Sequence, residues 1–225
     1  MVWTNGCVIL NFFIFLLLYI YIHIMVNKYI IQRLHLLKNH NAICSTKIPT
    51  GDDVLIIPDF LNNQEIQELK SLCSNSNYTN SKVVINGNIT NENTRKSMSC
   101  FIEDSESIIV SKIKNTVSSL LPTNKRIEIQ VLKYEPDGFY KPHHDDFDDI
   151  QFEDNRKFTF FVILENECEG GETEFPNLNK TFKPEKGSAI FWNSFNSDKT
   201  RNSNKLHGGK KVISGQKMAC NIWIR

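Results

Sequence analysis

The sequence predicts a mainly β domain of the sandwich or barrel kind, with two flanking helices and one membrane-spanning helix ahead of it. Three observations carry this. From Ile127 onward, short runs rich in Ile, Val, Phe and Tyr alternate with polar residues, and Gly, Pro or Asn clusters separate them. Before Ile127, two stretches instead repeat apolar residues at helical spacing. Val8 to Val26 is almost wholly apolar.

The elements follow in order. Val8 to Val26 matches the ~20 residues that cross a bilayer. It is too long for the apolar core of a signal peptide, and no basic region precedes it. Residues 1–27 therefore read as an uncleaved anchor, with Tyr19, Tyr21 and His23 at its interfacial end. Residues 28–51 read as a juxtamembrane linker, helical in spacing from Tyr29 to Leu37, and residues 52–225 as the domain. Lys28, Arg33 and Lys38 after the anchor favour a cytoplasmic domain. Three Asn-x-Ser/Thr sequons, at Asn77, Asn88 and Asn179, point to the other side of the membrane, and the orientation stays open here.

Val54–Leu61 opens the domain as a short strand. Asn62 or Asn63 caps a helix that presents Ile66, Leu69 and Leu72. Residues 74–94 are Asn- and Ser-rich and read as a loop, with room for a strand at Val83. A second amphipathic helix spans Glu106 to Leu121 and stops at Pro122. Strands are expected at 127–134, 140–147, 157–164, 172–175, 181–182, 188–192, 206–212 and 217–224.

Composition excludes several classes. Lys and Arg number 26 against 25 Asp and Glu, so no net field draws nucleic acid to the chain. Six cysteines are scattered without a C-x-x-C, which excludes a zinc ribbon or a thioredoxin-like site and leaves their pairing unread. Cys220 lies in an apolar strand pattern and reads as a buried free thiol.

The stretch Tyr134 to Phe147 carries the chemistry. After the turn signal Pro136-Asp137-Gly138 it holds His143 and Asp145, two apart and so on one face of a strand. His144 and Asp146 have the same spacing. Turning 143, 145 and 147 inward buries Phe147 and leaves 144, 146 and 148 as a solvated face, which favours the first pair. An imidazole and a carboxylate with one further His would make the triad that holds non-haem Fe(II). Of the six His, three lie in the anchor and linker, so His207, ahead of Gly208-Gly209, is the candidate for the third position. Lys217 shares a strand face with Ala219, Asn221 and Trp223. A buried ammonium there needs an anion, whereas one at the strand end could simply reach water.

Taken together, Arg95-Lys-Ser, Tyr134-x5-Tyr140-x2-His143-x-Asp145, Gly170-Gly-Glu-Thr-x-Phe-Pro176, Gly187-x2-Ile-Phe-Trp192 and His207-Gly-Gly-x2-Val-x2-Gly-x-Lys217-x3-Asn-x-Trp223 resemble the prolyl 4-hydroxylase branch of the 2-oxoglutarate- and Fe(II)-dependent dioxygenases. The resemblance covers roughly residues 52–225 and keeps the family order. It implies a double-stranded β-helix (jelly roll) with iron held by His143, Asp145 and His207. It further implies that Lys217 and Tyr134 receive the far carboxylate of 2-oxoglutarate, with Thr173 on the strand pair crossing the site. The implied reaction is 4-hydroxylation of a peptidyl proline with release of succinate and CO2, using O2 and sustained by L-ascorbate. A lumenal domain in the endoplasmic reticulum membrane is the family's arrangement. The chain departs from the family at Phe160-Phe-Val-Ile-Leu and at His207-Gly-Gly-Lys-Lys-Val, and the family's disulfides are not carried over. Two other readings are a lysyl hydroxylase of the same fold and a membrane-anchored binding protein without turnover.

Overall fold

The alternating pattern after Ile127 becomes strand, and the strands form two antiparallel sheets. The structure is a computed structural model that describes residues 54–73, 77–85, 88–90, 94–103, 107–121 and 126–225. The expected anchor and linker lie outside them. No helix among the described residues is long and apolar enough to cross a membrane.

The larger sheet has seven strands in the order β1 (Leu55–Ile57), β12 (Ala189–Asn193), β9 (Phe158–Gly170), β14 (Val212–Ile224), β7 (Ile127–Tyr134), β6 (Met98–Ile102) and β2 (Thr79–Asn80). The smaller has five: β11 (Lys180–Phe182), β10 (Thr173–Phe175), β13 (His207–Gly209), β8 (Phe139–His143) and β5 (Arg95–Lys96). A separate hairpin joins β3 (Val83–Ile85) to β4 (Asn88–Thr90), so the segment expected as loop contains three short strands. This mainly β architecture with few helices is consistent with the expected jelly roll.

Alternation gives the larger sheet two apolar faces. Leu132 and Tyr134 of β7, Phe161 and Ile163 of β9, Ile190 and Trp192 of β12 and Ala219 of β14 share an inner cluster with Phe175 of β10. Val131, Cys220, Val162 and Ile222 lie on the opposite face and are buried too. Two helices are buried with them: α1 (Asn63–Ser71) through Ile66 and Leu69, and α2 (Ile108–Leu120) through Ile113 and Val117. Each such side chain contributes about 1.5–3 kcal/mol by leaving water. Lys70 of α1 reaches Glu165 on β9 at 2.8 Å. Asn62 is the cap: its side chain accepts from Glu65 N–H, and the Glu65 carboxylate accepts from Asn62 N–H.

Three differences from the expected elements have local causes. Strand β8 stops at His143, short of the expected 147. The buried Asn155 side chain takes both the N–H and the C=O of Phe147, at 2.9 and 2.8 Å, and ties this segment into a turn. Strands β9 and β14 run 13 residues each. The break expected between residues 212 and 217 is instead continuous strand, with a register shift between Val212 and Ser214; close by, Gly215 adopts φ +77°, and a Cβ there would collide with Glu167 O. Finally, Cys73 after α1 is disulfide-bonded to Cys100 on β6 across 27 residues, a closure that contributes ~3–4 kcal/mol in the chain-entropy view. Cys220 is free and buried, as expected.

Candidate active site

The site begins with strand register. His207 on β13 stands opposite His143 at the end of β8. The backbones close up here because residue 208 is Gly: a Cβ on it would sit 2.9 Å from Tyr140 O. The two imidazoles end 4.4 Å apart, centre to centre. Asp145, just past the strand, turns its carboxylate toward both, 4.0 Å from His143 Nε2 and 3.7 Å from His207 Nε2. One ligand atom from each of the three residues lies within 4.8 Å of the others.

Their surroundings fix the donor atoms. His143 Nδ1 lies 3.0 Å from Lys141 O, and His207 Nδ1 lies 2.9 Å from Lys205 O. A carbonyl can only accept, so each Nδ1 carries the proton and each Nε2 offers a lone pair to the common point. Thr159 Oγ1, from β9 in the other sheet, donates to Asp145 Oδ2 at 2.7 Å. Burial, reinforced by the neighbouring His207, pushes His143 well below the usual imidazole range and keeps it neutral. Burial pushes Asp145 upward, but the two imidazoles and Thr159 outweigh it and hold the carboxyl below its ordinary value. Two imidazole nitrogens and one carboxylate around a point are the donor set of a 2-His-1-carboxylate iron centre. These residues fit that ion.

Asp146, the carboxylate of the competing pair, is held elsewhere. Asp146 is buried, and its Oδ2 accepts from Arg201 at 2.6 Å. Arg201 also holds Asp148 at 2.6 Å. The expected solvated face of 144, 146 and 148 is therefore not formed, because the segment is a turn clamped by Arg201 and Asn155 rather than a strand.

Lys217 supplies a second feature of the same cavity, whose volume is about 460 Å³. It sits on β14 opposite Tyr134 of β7 and is only 3% exposed. Its Nζ donates to Gly171 O at 2.6 Å, lies 3.5 Å from Thr173 Oγ1, and stands 5.1 and 5.7 Å from the rings of Phe161 and Tyr134. Gly171 presents that carbonyl from φ +71°, and a Cβ there would press on Cys168, Val212 and Lys217. Among the described residues no carboxylate forms a salt bridge with Lys217. Burial lowers its pKa to about 8. A desolvated ammonium with only neutral acceptors is completed by an anion. One cavity thus joins a metal triad to a waiting cation, which suits a small ligand with a chelating end and a charged end.

The structure brings together His143, Asp145, His207, Lys217, Tyr134 and Thr173, all named from sequence. It adds others. Tyr140 stacks on His143 at 3.5 Å, Arg95 lies over the Tyr140 ring at 4.4 Å, and Trp192 and Phe175 pack beside His207 at 4.6 and 5.6 Å. Thr159 was missed, although a lone hydroxyl inside Phe158-Thr-Phe-Phe-Val-Ile-Leu164 was a signal. Arg201 carried no signal, since it meets Asp146 from 55 residues away.

The chain is similar to known proteins. Residues 129–225 match the family model described as the 2OG-Fe(II) oxygenase superfamily. Prolyl 4-hydroxylase 1 of Arabidopsis thaliana is 32% identical over 76% of this chain and 68% of its own length. A putative prolyl 4-hydroxylase of Acanthamoeba polyphaga mimivirus is 28% identical over 76% of this chain and 73% of its own. Among solved structures, the viral collagen prolyl hydroxylase of Paramecium bursaria Chlorella virus-1, in complex with 2OG, superposes with a TM-score of 0.63 at 27% identity. That match covers 76% of this chain and 95% of that one.

Thr159→Val should weaken divalent-metal affinity by about 10–100-fold, the usual effect of losing a hydrogen bond behind a ligand. Titration with Mn(II), a redox-stable probe, measures this; unchanged affinity would show that Asp145 needs no support.

Proposed function

The chain belongs to the prolyl 4-hydroxylase family of 2-oxoglutarate- and Fe(II)-dependent dioxygenases, and on that premise we propose how its residues divide the work. The reaction is hydroxylation of a peptidyl proline, with Fe(II), 2-oxoglutarate and O2 required and ascorbate as the family's reductant. The observation that carries this reading is the metal triad and the unpaired Lys217 ammonium in one cavity.

His143 and His207 hold the iron through Nε2, and Asp145 through a carboxylate oxygen steadied by Thr159. When bound, Fe(II) supplies the oxidative chemistry: one oxygen atom of O2 leaves with 2-oxoglutarate as succinate and CO2, and the other enters a proline C–H bond as hydroxyl. Lys217 pairs with the far carboxylate of 2-oxoglutarate, with Thr173 and Tyr134 beside it. Phe161 and Trp192 line the same cavity and exclude water, which strengthens that pair. The relatives named as prolyl 4-hydroxylases favour proline over lysine as the target. The complete triad favours turnover over simple binding.

We assign Val8 to Val26 as a membrane anchor and the domain to the lumen of the endoplasmic reticulum. The Cys73–Cys100 disulfide supports an oxidising compartment, although the basic flank of the anchor favours the cytoplasm. In sealed vesicles the domain should resist added protease; its cleavage without detergent would put it on the cytoplasmic side.

Incubation with a proline-rich peptide should give hydroxyproline and succinate in equal amounts by mass spectrometry. His143→Ala, Asp145→Ala and His207→Ala should lose both iron and product, while His144→Ala keeps most of each. Iron retained by His143→Ala and lost by His144→Ala would transfer the role to the neighbouring pair.

Lys217 sets a pH limit. Its ammonium form is the one that binds a carboxylate, and burial lowers its pKa to about 8. The KM for 2-oxoglutarate should be flat below that pH and rise about tenfold per unit above it. Lys217→Arg, whose guanidinium stays charged, should lose the break. A wild-type KM flat to pH 10 would mean that the co-substrate is anchored elsewhere.

A further inference from the structure

The second His-x-Asp pair, His144 and Asp146, is the sequence motif that the triad leaves unused. Asp146 nevertheless lines the same cavity as Asp145. Its side chain is 2% exposed. Its Oδ2 accepts from Nε and Nη2 of Arg201, each at 2.6 Å. Its Oδ1 is buried and has no hydrogen-bond partner among the described residues. A carboxylate so placed is costly unless a cation compensates it, and Arg201 is that cation.

Arg201 reaches Asp146 from a braced support. After β12 the chain folds back on itself: Asn202 N–H donates to Ser194 O at 2.9 Å, Asn196 N–H donates to Thr200 O at 2.8 Å, and Phe195 pairs with Arg201. Asp198 closes the tip by accepting from Thr200 N–H and Oγ1 at 2.9 and 2.6 Å. This hairpin packs on the segment that follows Asp145. Phe195 meets Phe152 edge-on at 5.0 Å, Lys199 pairs with Glu153 at 3.1 Å, and Arg201 also holds Asp148 at 2.6 Å. The chain then leads to His207 through Lys205, whose carbonyl accepts from His207 Nδ1. Arg201 thereby ties together the segments that carry Asp145 and His207.

Two adjacent carboxylates thus border one metal site, and their partners separate them. Thr159 and the two imidazoles hold Asp145 toward the common point. Arg201 holds Asp146. A dication attracts every nearby carboxylate, and the attraction is strong where water is excluded. Released from Arg201, Asp146 would be a second anionic donor beside the first. A metal that took it would bind more tightly. It would also lose one of the open positions that a 2-His-1-carboxylate centre offers to exchangeable ligands.

We propose that Arg201 is a positioning residue that keeps Asp146 out of the metal's coordination shell, and so preserves the positions at which 2-oxoglutarate binds. The inference rests on the iron and 2-oxoglutarate reading above and adds to it what decides which of two adjacent carboxylates the metal receives. In this role Arg201 acts through Asp146 and touches neither the metal nor the co-substrate.

The test uses the full chain with Mn(II) as the metal and calorimetric titration as the readout. Arg201→Gln should bind Mn(II) about tenfold more tightly, and the Mn(II)-loaded variant should bind 2-oxoglutarate about tenfold more weakly. A turn that had merely loosened would weaken both. Adding Asp146→Asn to Arg201→Gln should bring both affinities back to within about twofold of wild type, because the two residues are coupled. Asp146→Asn alone keeps the shape of the side chain and should leave Mn(II) affinity unchanged, an arm that holds even if Arg201→Gln does not fold. Weaker or unchanged Mn(II) binding in folded Arg201→Gln, or a loss of Mn(II) affinity in Asp146→Asn, overturns the role of Arg201 while leaving the triad intact. Absence of 2-oxoglutarate binding by the wild-type Mn(II) protein overturns the co-substrate reading, and the Mn(II) affinities still decide the role of Arg201.

Discussion

The pairing of β13 with β8, which sets His207 opposite His143, is the constraint on which the rest depends. A slip of one residue would turn one imidazole to the other face of the sheet. The register is held on both sides of β13. Thr173 and Glu174 of β10 pair with Gly209 and Gly208 on one side, and Gly208 admits the Tyr140 carbonyl on the other. The smaller sheet thus contributes both imidazoles and Thr173. The larger contributes Thr159, Tyr134, Phe161 and Lys217. The site lies where the inner faces meet, and the spacing of two packed sheets sets how far the ammonium stands from the triad.

The site is organised around charge kept out of water. Asp145 and Lys217 are both buried, and they are treated differently. Asp145 has its compensation built in, from two imidazoles and Thr159, and remains ionised. Lys217 is given only the Gly171 carbonyl and the Thr173 hydroxyl, and its pKa falls. The difference is functional. A carboxylate that is already ionised and oriented can receive a cation without rearrangement. An ammonium that is incompletely satisfied gains most from a carboxylate arriving with a ligand. Binding of 2-oxoglutarate in this account supplies what the fold leaves out.

Much of this was legible in the residues. Alternation located β7 to the residue, and helical spacing with Asn62 located α1. The His-x-Asp pair, the shortage of other histidines and the family order of the motifs drew attention to the three residues that the structure assembles. What was not legible comes from contacts distant in sequence. Asp145 was expected on a strand, yet it follows one, because Asn155 captures the backbone of Phe147. Alternation then fails for Asp146, which is buried against Arg201 instead of solvated. Residues 213–216 read as a gap between two strands and are part of one continuous strand, since a glycine that ends an element and one inside it look alike in sequence. The Cys73–Cys100 bond required knowing that the end of α1 meets β6.

The central claim is that iron sits between the facing imidazoles of β8 and β13. X-ray absorption of the Fe(II)-loaded protein, prepared without oxygen, tests it most directly, because imidazole ligands leave a multiple-scattering signature that carboxylates and water do not. The account expects two imidazoles in the iron shell of the wild-type protein and one in His207→Ala wherever iron is retained. A wild-type shell with one imidazole or none, or one unaltered by loss of His207, would contradict it.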